Sequence, residues 1–357
     1  MKLIFIAPLT SIGGHSLISN ILYLNLKKKF SITPIDLSKA SNHYGKFSIK
    51  RILMVAILLF KVLKNKKNAD RIYITISQSL LGNLKDLIIF LILFNKFDKT
   101  ILHLHGGSIG ENLFKKIRII KLLNLFFYKN CKKIIISGKS HYSIFPKELD
   151  KKLTIIQNFA SDKLFNNYKD IKIKFQNSNP IRILFLSNML PEKGYMHLLN
   201  GFKLLNKKSR KPLILEFAGK FYNNKLKSEF IDLVSKEKDI FYHGSISNKK
   251  KKELLHKAHI FCLPTSFLEG QPISILEAYA SGCFVLTSDK PGINDIFKNG
   301  KNGFSLNKID PKIIKFNLEK ILIDFDLCEK IGIENRKIAG KYFREKKYLK
   351  SIEKSIL

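Results

Sequence analysis

The feature that most constrains this chain is an alternation of short apolar runs with longer helical patterns, which restarts halfway along the sequence. Strand-like runs occupy residues 2–7, 71–76, 100–104, 133–137 and 153–156, and then 181–187, 213–218, 239–242, 259–263 and 283–287. Helical patterns lie between them, at 15–29, 46–67, 80–95 and 111–129, and then at 193–207, 223–236, 248–256 and 272–281. Short strands that alternate with helices are typical of parallel βαβ units. The restart predicts an α/β fold class with two Rossmann-like, doubly wound domains.

A change in composition indicates where the two predicted domains meet. Residues 164–180, "LFNNYKDIKIKFQNSNP", are rich in Asn and Lys and end in a proline before the next strand, as is typical of a linker. We predict an N-terminal domain at 1–165, a linker at 166–180 and a C-terminal domain at 181–340. We also predict a final helix at 341–357 that packs back on the N-terminal domain.

The charge of the chain is unusual. Its 64 lysines and arginines against 28 acidic residues give a net charge of +36. A field of this size favours an anionic partner such as nucleic acid, anionic lipid or a phosphorylated ligand, although a general lysine bias of the source proteome is an equal alternative. No apolar run reaches the roughly 18 residues of a membrane span. The four cysteines have no paired spacing, so we expect reduced core residues in a cytoplasmic protein.

In doubly wound sheets ligands bind at the carboxyl ends of the strands, so the polar residues that follow each strand are the candidates for a site. Gly13 and Gly14 follow the first strand, where glycines let the backbone approach a phosphate at a helix start. The pattern G-x-G-x-x-G is absent, which does not support a dinucleotide fold of the usual kind. A plain turn is the alternative for these glycines.

Two further candidates are His105 and Lys193. His105 ends the strand at 100–104, beside two glycines, where an imidazole can donate to a sugar hydroxyl or relay a proton. Lys193 precedes a glycine near a helix start, a position that suits a diphosphate. The alternatives are a loop histidine without a role and a solvated lysine.

The stretch "LEGQPISILEA", residues 268–278, places Glu269 in a loop and Glu277 more than one turn into a helix that begins near Pro272. Carboxylates bind hydroxyl pairs such as those of ribose or hexose with both oxygens. The alternatives are charge balance at the helix start for Glu269 and a surface ion pair for Glu277.

Taken together, these motifs resemble a known family. The order is Gly-Gly after the first strand, "HLHGGS", and then "PEKG", "FAGK", "FYHG", "LPTSFLEGQPISILEAYASG" and "NGKNGF". The sequence resembles the retaining glycosyltransferases of family 4, which have the GT-B architecture of two Rossmann-like domains facing across a cleft. The resemblance covers nearly the whole chain and is most specific over 257–303, where Glu269 and Glu277 match the E-x(7)-E motif of that family.

The resemblance implies a role for each motif residue. Glu277 would bind the ribose of the nucleotide, Glu269 and His105 would contact the donor sugar, and Lys193 would hold the diphosphate. It also implies that the substrate is bound by a further set of residues: Gly13, Gly14, Gly219, Gly244, Thr265, Ser266, Gly270, Gln271, Pro272 and Ile273.

One position departs from the family pattern. Asn188 stands where members of the family often carry an arginine that pairs with phosphate. An uncharged amide makes a weaker hydrogen bond to phosphate than a guanidinium does. We predict that Asn188 still lies at the substrate, without replacing the arginine at equal strength.

The function implied is transfer of a sugar from a UDP- or GDP-linked donor to a glycan or lipid-linked acceptor in bacterial surface polysaccharide or lipopolysaccharide synthesis. No Asp-x-Asp follows a strand in a metal-binding role, so the resemblance implies a metal-independent enzyme without a cofactor. The alternatives are a nucleotide-sugar epimerase of the same fold and a basic nucleic-acid-binding protein, although no nucleic-acid-binding motif is found.

Two basic segments of the first half carry large apolar residues, at 51–67 and 111–130. Basic amphipathic helices are typical of proteins that bind an anionic membrane surface, which would suit a lipid-linked acceptor at the inner face of the cytoplasmic membrane. The alternative is that both are buried helices that cover a sheet.

Overall fold

The computed structural model describes residues 1–10, 13–40, 49–205 and 212–357, and these residues divide into two compact units. Unit 1 contains residues 1–157, 268–271 and 348–357, and unit 2 contains residues 158–267 and 272–347. Each unit is built on one six-stranded parallel sheet with helices. The predicted fold class of two doubly wound α/β domains is therefore confirmed.

The sheet of unit 1 has the strand order β2-β1-β3-β4-β5-β6. Its strands are β1 Lys2–Ala7, β2 Ser31–Asp36, β3 Arg71–Thr75, β4 Thr100–Leu104, β5 Lys133–Ile136 and β6 Leu153–Ile155. The helices of this unit are α1 Gly14–Leu26, α2 Ile49–Asn65, α3 Leu80–Ile92 and α4 Arg118–Asn130. The central strands are buried on both faces, as covered parallel sheets require.

The sheet of unit 2 has the order β12-β11-β10-β7-β8-β9. Its strands are β7 Ile181–Leu186, β8 Leu213–Ala218, β9 Ile240–Tyr242, β10 Ile260–Leu263, β11 Phe284–Ser288 and β12 Gly303–Leu306. The helices of the C-terminal half are α5 Tyr168–Gln176, α6 Tyr195–Lys203, α7 Asn224–Ser235, α8 Asn248–Lys257, α9 Ile273–Ala280, α10 Pro291–Asn294, α11 Pro311–Ile323, α12 Phe325–Tyr342 and α13 Glu345–Ile356.

The order of strands gives each sheet one point where the chain reverses direction. In unit 1, β2 lies on one side of β1 and β3 on the other; in unit 2, β8 lies on one side of β7 and β10 on the other. The loops that follow β1 and β3, and those that follow β7 and β10, therefore lie at such a switch point, where ligands bind in this class of fold.

Two strands, β2 and β12, were absent from the sequence prediction. Both lie at the edge of their sheet. β2 contains Pro34, which is tolerated at a sheet edge because an edge strand has unpaired N–H positions. β12 has four residues only. Edge strands bury less apolar surface, so the sequence pattern that identifies a strand is weak in them.

The predicted linker contains a helix instead. Helix α5 begins after Asn167, whose side chain accepts a hydrogen bond from the backbone N–H of Asp170 at 2.7 Å. Ile171 and Phe175, one turn apart, are buried in the core of unit 2. The polar composition of this segment belongs to the exposed face of an amphipathic helix, and the change of unit comes earlier, between residues 157 and 158.

Some boundaries of the predicted helices also differ. The predicted helix at 111–129 is a π-type turn at Gly110–Phe114 followed by α4, because Ile117 has extended backbone torsions between them. Residue 46, where one predicted helix starts, and residue 207, where another ends, are not among the residues that the structure describes.

At the C-terminus, Arg71 and Lys132 donate hydrogen bonds to the backbone carbonyls of the last two residues, Ile356 and Leu357.

Candidate active site

The switch point of unit 2 joins two of the predicted site loops. Glu192, in the turn after β7, presents a backbone carbonyl that accepts hydrogen bonds from the N–H of Ser266 at 2.7 Å and from the Thr265 hydroxyl at 3.2 Å. Gly194 has a φ of 78°, and a Cβ there would lie 1.9 Å from the carbonyl oxygen of Pro264. Only glycine allows both this backbone conformation and this close approach. The loops after β7 and β10 are therefore held together as one structure.

Lys193 lies in this joined structure, next to Gly194, the N-cap of α6. Its Nζ lies 4.5 Å from the centroid of the Phe267 ring, a cation–π contact that orients the side chain. The N-terminus of α6, at Tyr195, provides the positive end of the helix dipole. A lysine and a helix start side by side form a suitable site for a phosphate group.

Glu277 lies on α9 and is paired with a residue that the sequence analysis did not identify. Its Oε1 is 2.5 Å from Nζ of Lys251 on α8, and the two side chains are 5% and 15% exposed. The carboxylate is therefore held in place by a largely buried ion pair. The alternative of a surface ion pair for Glu277 is wrong about the surface, because Glu277 forms an ion pair whose two side chains are largely buried. The only signal for Lys251 in the sequence is the run "NKKKKE", in which four lysines are equivalent.

The strand ends at β7, β8 and β9 bring together Gly219, Gly244 and the residues after β7. The N–H of Gly219 donates to the carbonyl of Gly244 at 2.8 Å, and a Cβ on Gly219 would lie 1.7 Å from the carbonyl oxygen of Ser187. Gly244 has a φ of 64° and no atom within 4 Å of a Cβ built there. Packing thus explains the glycine at 219, whereas Gly244 borders open space. Asn188 follows Ser187 and is partly buried.

A buried carboxylate fixes the loop that carries Gly244. Glu216 on β8 is bonded to Nε2 of His243 at 3.1 Å and to Arg182 at 3.3 Å. Burial alone would raise the pKa of Glu216, but the hydrogen bond from His243 and the charge of Arg182 outweigh it, and the net pKa is lowered. The ionised Glu216 therefore holds His243, the residue before Gly244.

Residues 268–271, which include Glu269, group with unit 1. A Cβ on Gly270 would lie 2.0 Å from the carbonyl oxygen of His105, and a Cβ on Gly107 would lie 2.6 Å from the carbonyl oxygen of Glu269. The backbone of the Glu-Gly-Gln segment therefore packs directly on the His-Gly-Gly backbone after β4. Glycine at 107 and 270 is required by this approach. Gln271 is buried beside it.

His105 is surrounded by other histidines. Its ring stacks on that of His103 with centroids 3.8 Å apart, and the ring of His15 on α1 lies 4.3 Å away. Within the described part of the chain, both ring nitrogens of His105 are buried and without a hydrogen-bond partner, as is Nε2 of His15. Burial lowers the pKa of His105 well below its ordinary value, and the neighbouring histidines lower it further. The ring is therefore neutral and able to donate to a hydroxyl.

His15 was not identified from the sequence, and it lies next to the predicted pair Gly13 and Gly14. Gly13 caps α1 with a φ of 153°, and a Cβ built on it would meet no atom of the described residues within 4 Å. Gly14 is the first residue of α1. Among the described residues, none fills the space next to Gly13 at the start of this helix.

The buried rings of His15 and His103 predict that the free energy of unfolding decreases in acid. Burial lowers the pKa of His15 to about 4 and that of His103 to about 3, and Lys85 also lowers that of His15. Both pKa values are lower in the folded protein than in the unfolded chain. The unfolded state therefore takes up protons first as the pH falls below about 6.5. Stability is complete above that pH and decreases by about 1–2 kcal/mol per histidine between pH 7 and pH 5. Urea unfolding followed by circular dichroism at both pH values measures this loss.

His15→Asn should reduce this acid sensitivity, because one buried imidazole no longer titrates. His197→Asn is the matched control, since His197 is exposed. Equal losses of stability in the wild-type protein and His15→Asn would contradict the prediction.

The predicted site residues thus form two sets. Unit 2 contains Lys193 joined to Thr265 and Ser266, the Gly219–Gly244 pair, and Glu277. Pro272 is the N-cap of α9 and Ile273 its first residue. Unit 1 contains His105 joined to Gly270 and Glu269, with Gln271 and the start of α1. In the part of the chain that the structure describes, no group of three or more His, Cys, Asp or Glu side chains is arranged to hold a metal ion.

Comparison with known proteins identifies the class of fold. A structure of Anabaena HepE in complex with UDP-glucose superimposes with a TM-score of 0.76, at 15% identity over all of this chain and 99% of that one. WaaG, a glycosyltransferase involved in lipopolysaccharide biosynthesis, gives a TM-score of 0.70 at 13% identity, over 96% and 95% of the two chains. The fold is the GT-B fold of these proteins.

The family comparison identifies the class of enzyme. Residues 167–338 match the family "Glycosyl transferases group 1". An uncharacterized glycosyltransferase of Methanocaldococcus jannaschii, MJ1069, is 22% identical over 72% of this chain and 67% of its own length. The capsular polysaccharide biosynthesis glycosyltransferase CapM of Staphylococcus aureus is 26% identical over 50% of this chain and 46% of its own. The protein is a glycosyltransferase with the GT-B fold, which confirms the predicted enzyme class.

Proposed function

We propose that the protein transfers a sugar from a nucleotide-sugar donor to a glycan or lipid-linked acceptor, with retention of the anomeric configuration and without a metal ion. The observation that carries this proposal is the E-x(7)-E motif. Its second glutamate, Glu277, is fixed by Lys251 on a helix of the region that matches glycosyl transferases group 1. A fixed carboxylate can accept hydrogen bonds from both hydroxyls of a ribose diol.

Each of the motif side chains has a role in the proposed donor complex. Glu277 binds the ribose hydroxyls, and Lys193 with the start of α6 binds the diphosphate. His105 and Glu269 bind the transferred sugar, where the two unpaired nitrogens of His105 find hydroxyl partners. UDP-glucose is the first donor to test, because the HepE complexes contain UDP and UDP-glucose.

The reaction requires stabilisation of the leaving group. The bond between the anomeric carbon and the phosphate oxygen breaks, and a bond forms from that carbon to an acceptor hydroxyl on the same face. The proton of this hydroxyl passes to the departing phosphate. Lys193 and the N–H groups of α6 stabilise the charge that develops on the diphosphate, the role that a cation has in other transferases.

The proposed acceptor is based on the names of two similar glycosyltransferases. CapM acts in capsular polysaccharide biosynthesis and WaaG in lipopolysaccharide biosynthesis, by their names. We propose a comparable bacterial surface glycan or its lipid-linked precursor as acceptor, reached at the inner face of the cytoplasmic membrane. Of the helices that the structure describes, none is long and apolar enough to cross a membrane.

A donor screen tests the proposal. UDP-, GDP-, ADP- and TDP-sugars are added to the full chain, and the melting temperature is measured, because a ligand well above its Kd raises stability by several kcal/mol. We expect a shift with one nucleotide class, unchanged by EDTA. Slow hydrolysis of that donor, followed by NMR of the released sugar, should give the retained anomer first. A chain that no nucleotide sugar stabilises, or an inverted product, would contradict the proposal.

The contact between the two glycine-containing segments predicts a loss of activity in Gly270→Ala. A methyl group there would overlap the carbonyl of His105, so the Glu269 segment must move away from it. Because displacement of a binding group by about 1 Å can cost about 100-fold in rate, we expect donor hydrolysis to fall about 100-fold. Gly110→Ala is the control, since its added carbon meets only the Ile144 side chain, at 3.6 Å. Equal activities of the two variants would contradict this prediction.

A further inference from the structure

Three helices of unit 1 lie side by side. Helix α2 packs against α3, and α3 packs against α4. Asn83 on α3 and Asn124 on α4 exchange two buried hydrogen bonds of 3.0 and 2.8 Å. The rings of Phe94 and Phe126 stack with centroids 6.2 Å apart. These contacts fix the three helices as one continuous surface.

The outward side of α2 is apolar. Of its apolar residues with a described side chain, only Leu58 and Val62 are buried. Six large apolar side chains are between 43% and 85% exposed: Ile49, Ile52, Leu53, Ile57, Phe60 and Leu63. They recur at intervals of three and four residues, so they form one stripe along the helix. This stripe faces away from the core that Leu58 and Val62 enter.

The other two helices repeat this pattern. Leu87, Ile89 and Phe90 of α3 and Ile120, Phe127 and Tyr128 of α4 are buried in the core. The exposed sides carry a second set of large apolar residues: Leu80, Leu81, Leu84, Ile88, Leu91 and Phe94, and Ile119, Leu122, Leu123 and Phe126. Each helix therefore has one apolar side for the sheet and another that remains uncovered. We call the surface formed by the exposed side chains of these three helices and Phe94 the α2–α4 face.

The exposed charges on the three helices of the α2–α4 face are of one sign. The three helices contain eight lysines and arginines and a single acidic residue, Asp86. Asp86 is fully buried and is 2.8 Å from Lys85. Lys61, Lys64 and Lys121 are exposed beside the apolar stripes. An apolar surface with a rim of exposed lysines complements a bilayer that carries anionic headgroups.

We propose that the α2–α4 face docks on an anionic lipid bilayer, with Phe60, Leu91 and Ile119 among the side chains that enter the acyl region and the lysines against the headgroups. Uncovered apolar area of this extent on one side of a unit marks an interaction surface. The absence of exposed carboxylates on the three helices favours lipid over a basic or neutral protein. The proposal deepens the proposed function, because it gives the means by which a lipid-linked acceptor is reached.

Vesicle flotation tests this docking. The probe is vesicles of phosphatidylcholine mixed with an equal part of phosphatidylglycerol, against vesicles of phosphatidylcholine alone. Phe60→Asp/Ile119→Asp is compared with Phe316→Asp/Ile323→Asp, which makes the same change of charge at apolar residues of unit 2 that are about as exposed or more so. We expect the first variant to bind anionic vesicles about 100-fold more weakly, because two large apolar side chains no longer enter the bilayer. The control should bind as the wild-type protein does.

A second variant tests whether the exposed lysines contribute to binding of anionic vesicles. Lys61→Gln/Lys64→Gln/Lys121→Gln should lose about tenfold or more of the binding to anionic vesicles. Raising the salt to about 0.5 M should have a similar effect on the wild-type protein, since charges are then screened over a few ångström. Far-UV circular dichroism and the melting temperature establish that each variant is folded.

Several outcomes would overturn the proposal. These are a wild-type chain that stays out of anionic vesicles at low salt, equal losses in the α2–α4 variant and its control, or dimers through the α2–α4 face in place of vesicle binding. Donor binding by the same variants, measured without lipid, separates this proposal from the proposed function. If donor binding is intact and docking is absent, only the membrane proposal fails; if docking is present and no donor binds, only the proposed function fails.

Discussion

Glu277→Gln should abolish the stabilisation of the protein by its nucleotide-sugar donor. The substitution keeps the shape of the side chain, and its amide oxygen can still accept a hydrogen bond from Lys251, but it removes the charge that binds the ribose hydroxyls. Hydrogen bonds to a charged group contribute about 1.5–3 kcal/mol, so we expect the Kd of the donor to rise by about 10- to 100-fold. A donor concentration that shifts the melting temperature of the wild-type protein should then have little effect on the variant.

The buried ion pair makes the choice of substitution important. Removal of one partner of a buried pair leaves an uncompensated charge and typically costs about 3–5 kcal/mol. Glu277→Ala would leave Lys251 in that condition, with its side chain only 15% exposed. Loss of donor binding in Glu277→Ala could then be a loss of folding. Glu277→Gln also removes the charge that compensates Lys251, but it leaves an amide oxygen that can accept a hydrogen bond from the Lys251 ammonium group. The melting temperature of this variant without donor is therefore measured first, to establish that the variant is folded.

The control for this experiment is Glu229→Gln, which makes the same change on the exposed surface of α7. It should bind the donor as the wild-type protein does. A full shift of the melting temperature in Glu277→Gln would remove Glu277 from the donor site, and with it the main support for the proposed function.

Lys193→Met should reduce kcat by about 100- to 1000-fold, the loss that follows from removing one group that stabilises charge in a transition state. Methionine retains an unbranched apolar stem that can pack on Phe267, which the lysine contacts in the structure. Only the cation is removed. Because the charge on the diphosphate increases as the bond to the sugar breaks, kcat should fall more than the affinity for the donor falls.

Steady-state kinetics with the donor found in the screen measure this effect. Lys298→Met, at an exposed lysine of the same unit, controls for a general change in charge. Lys193→Arg, which retains a cation at this place, should recover part of kcat. If kcat is unchanged in Lys193→Met while KM rises, Lys193 contributes to donor binding alone, and the proposed role in leaving-group stabilisation is wrong.

The central strands and the motif loops could be predicted from the sequence because their signals are local. An apolar run such as 71–76 between helical patterns identifies a buried parallel strand, and the order of such runs gives two doubly wound sheets. The positions of Lys193, His105 and Glu277 follow from their places at or after strand ends. Edge strand β2 and helix α5 were not predicted, since polar residues on their exposed sides hide the periodicity.

The contacts between pairs of residues in the candidate site could not be predicted from the sequence. Lys251 meets Glu277 from a helix 26 residues earlier in the chain, and His15 meets His105 across 90 residues. The contact of Gly270 with His105 likewise joins segments that are distant in the chain. No pattern in the sequence encodes which of four lysines in "NKKKKE" faces a carboxylate.

The sequence by itself determined the two parallel sheets, the loops that carry the chemistry and the apolar stripes of α2 and α4, because each depends on a periodicity within one segment. Tertiary structure alone decided which carboxylate is held by which lysine, which histidines are buried and neutral, and which apolar stripes remain exposed to water. These properties depend on the packing of segments against one another, and burial and pairing are consequences of that packing.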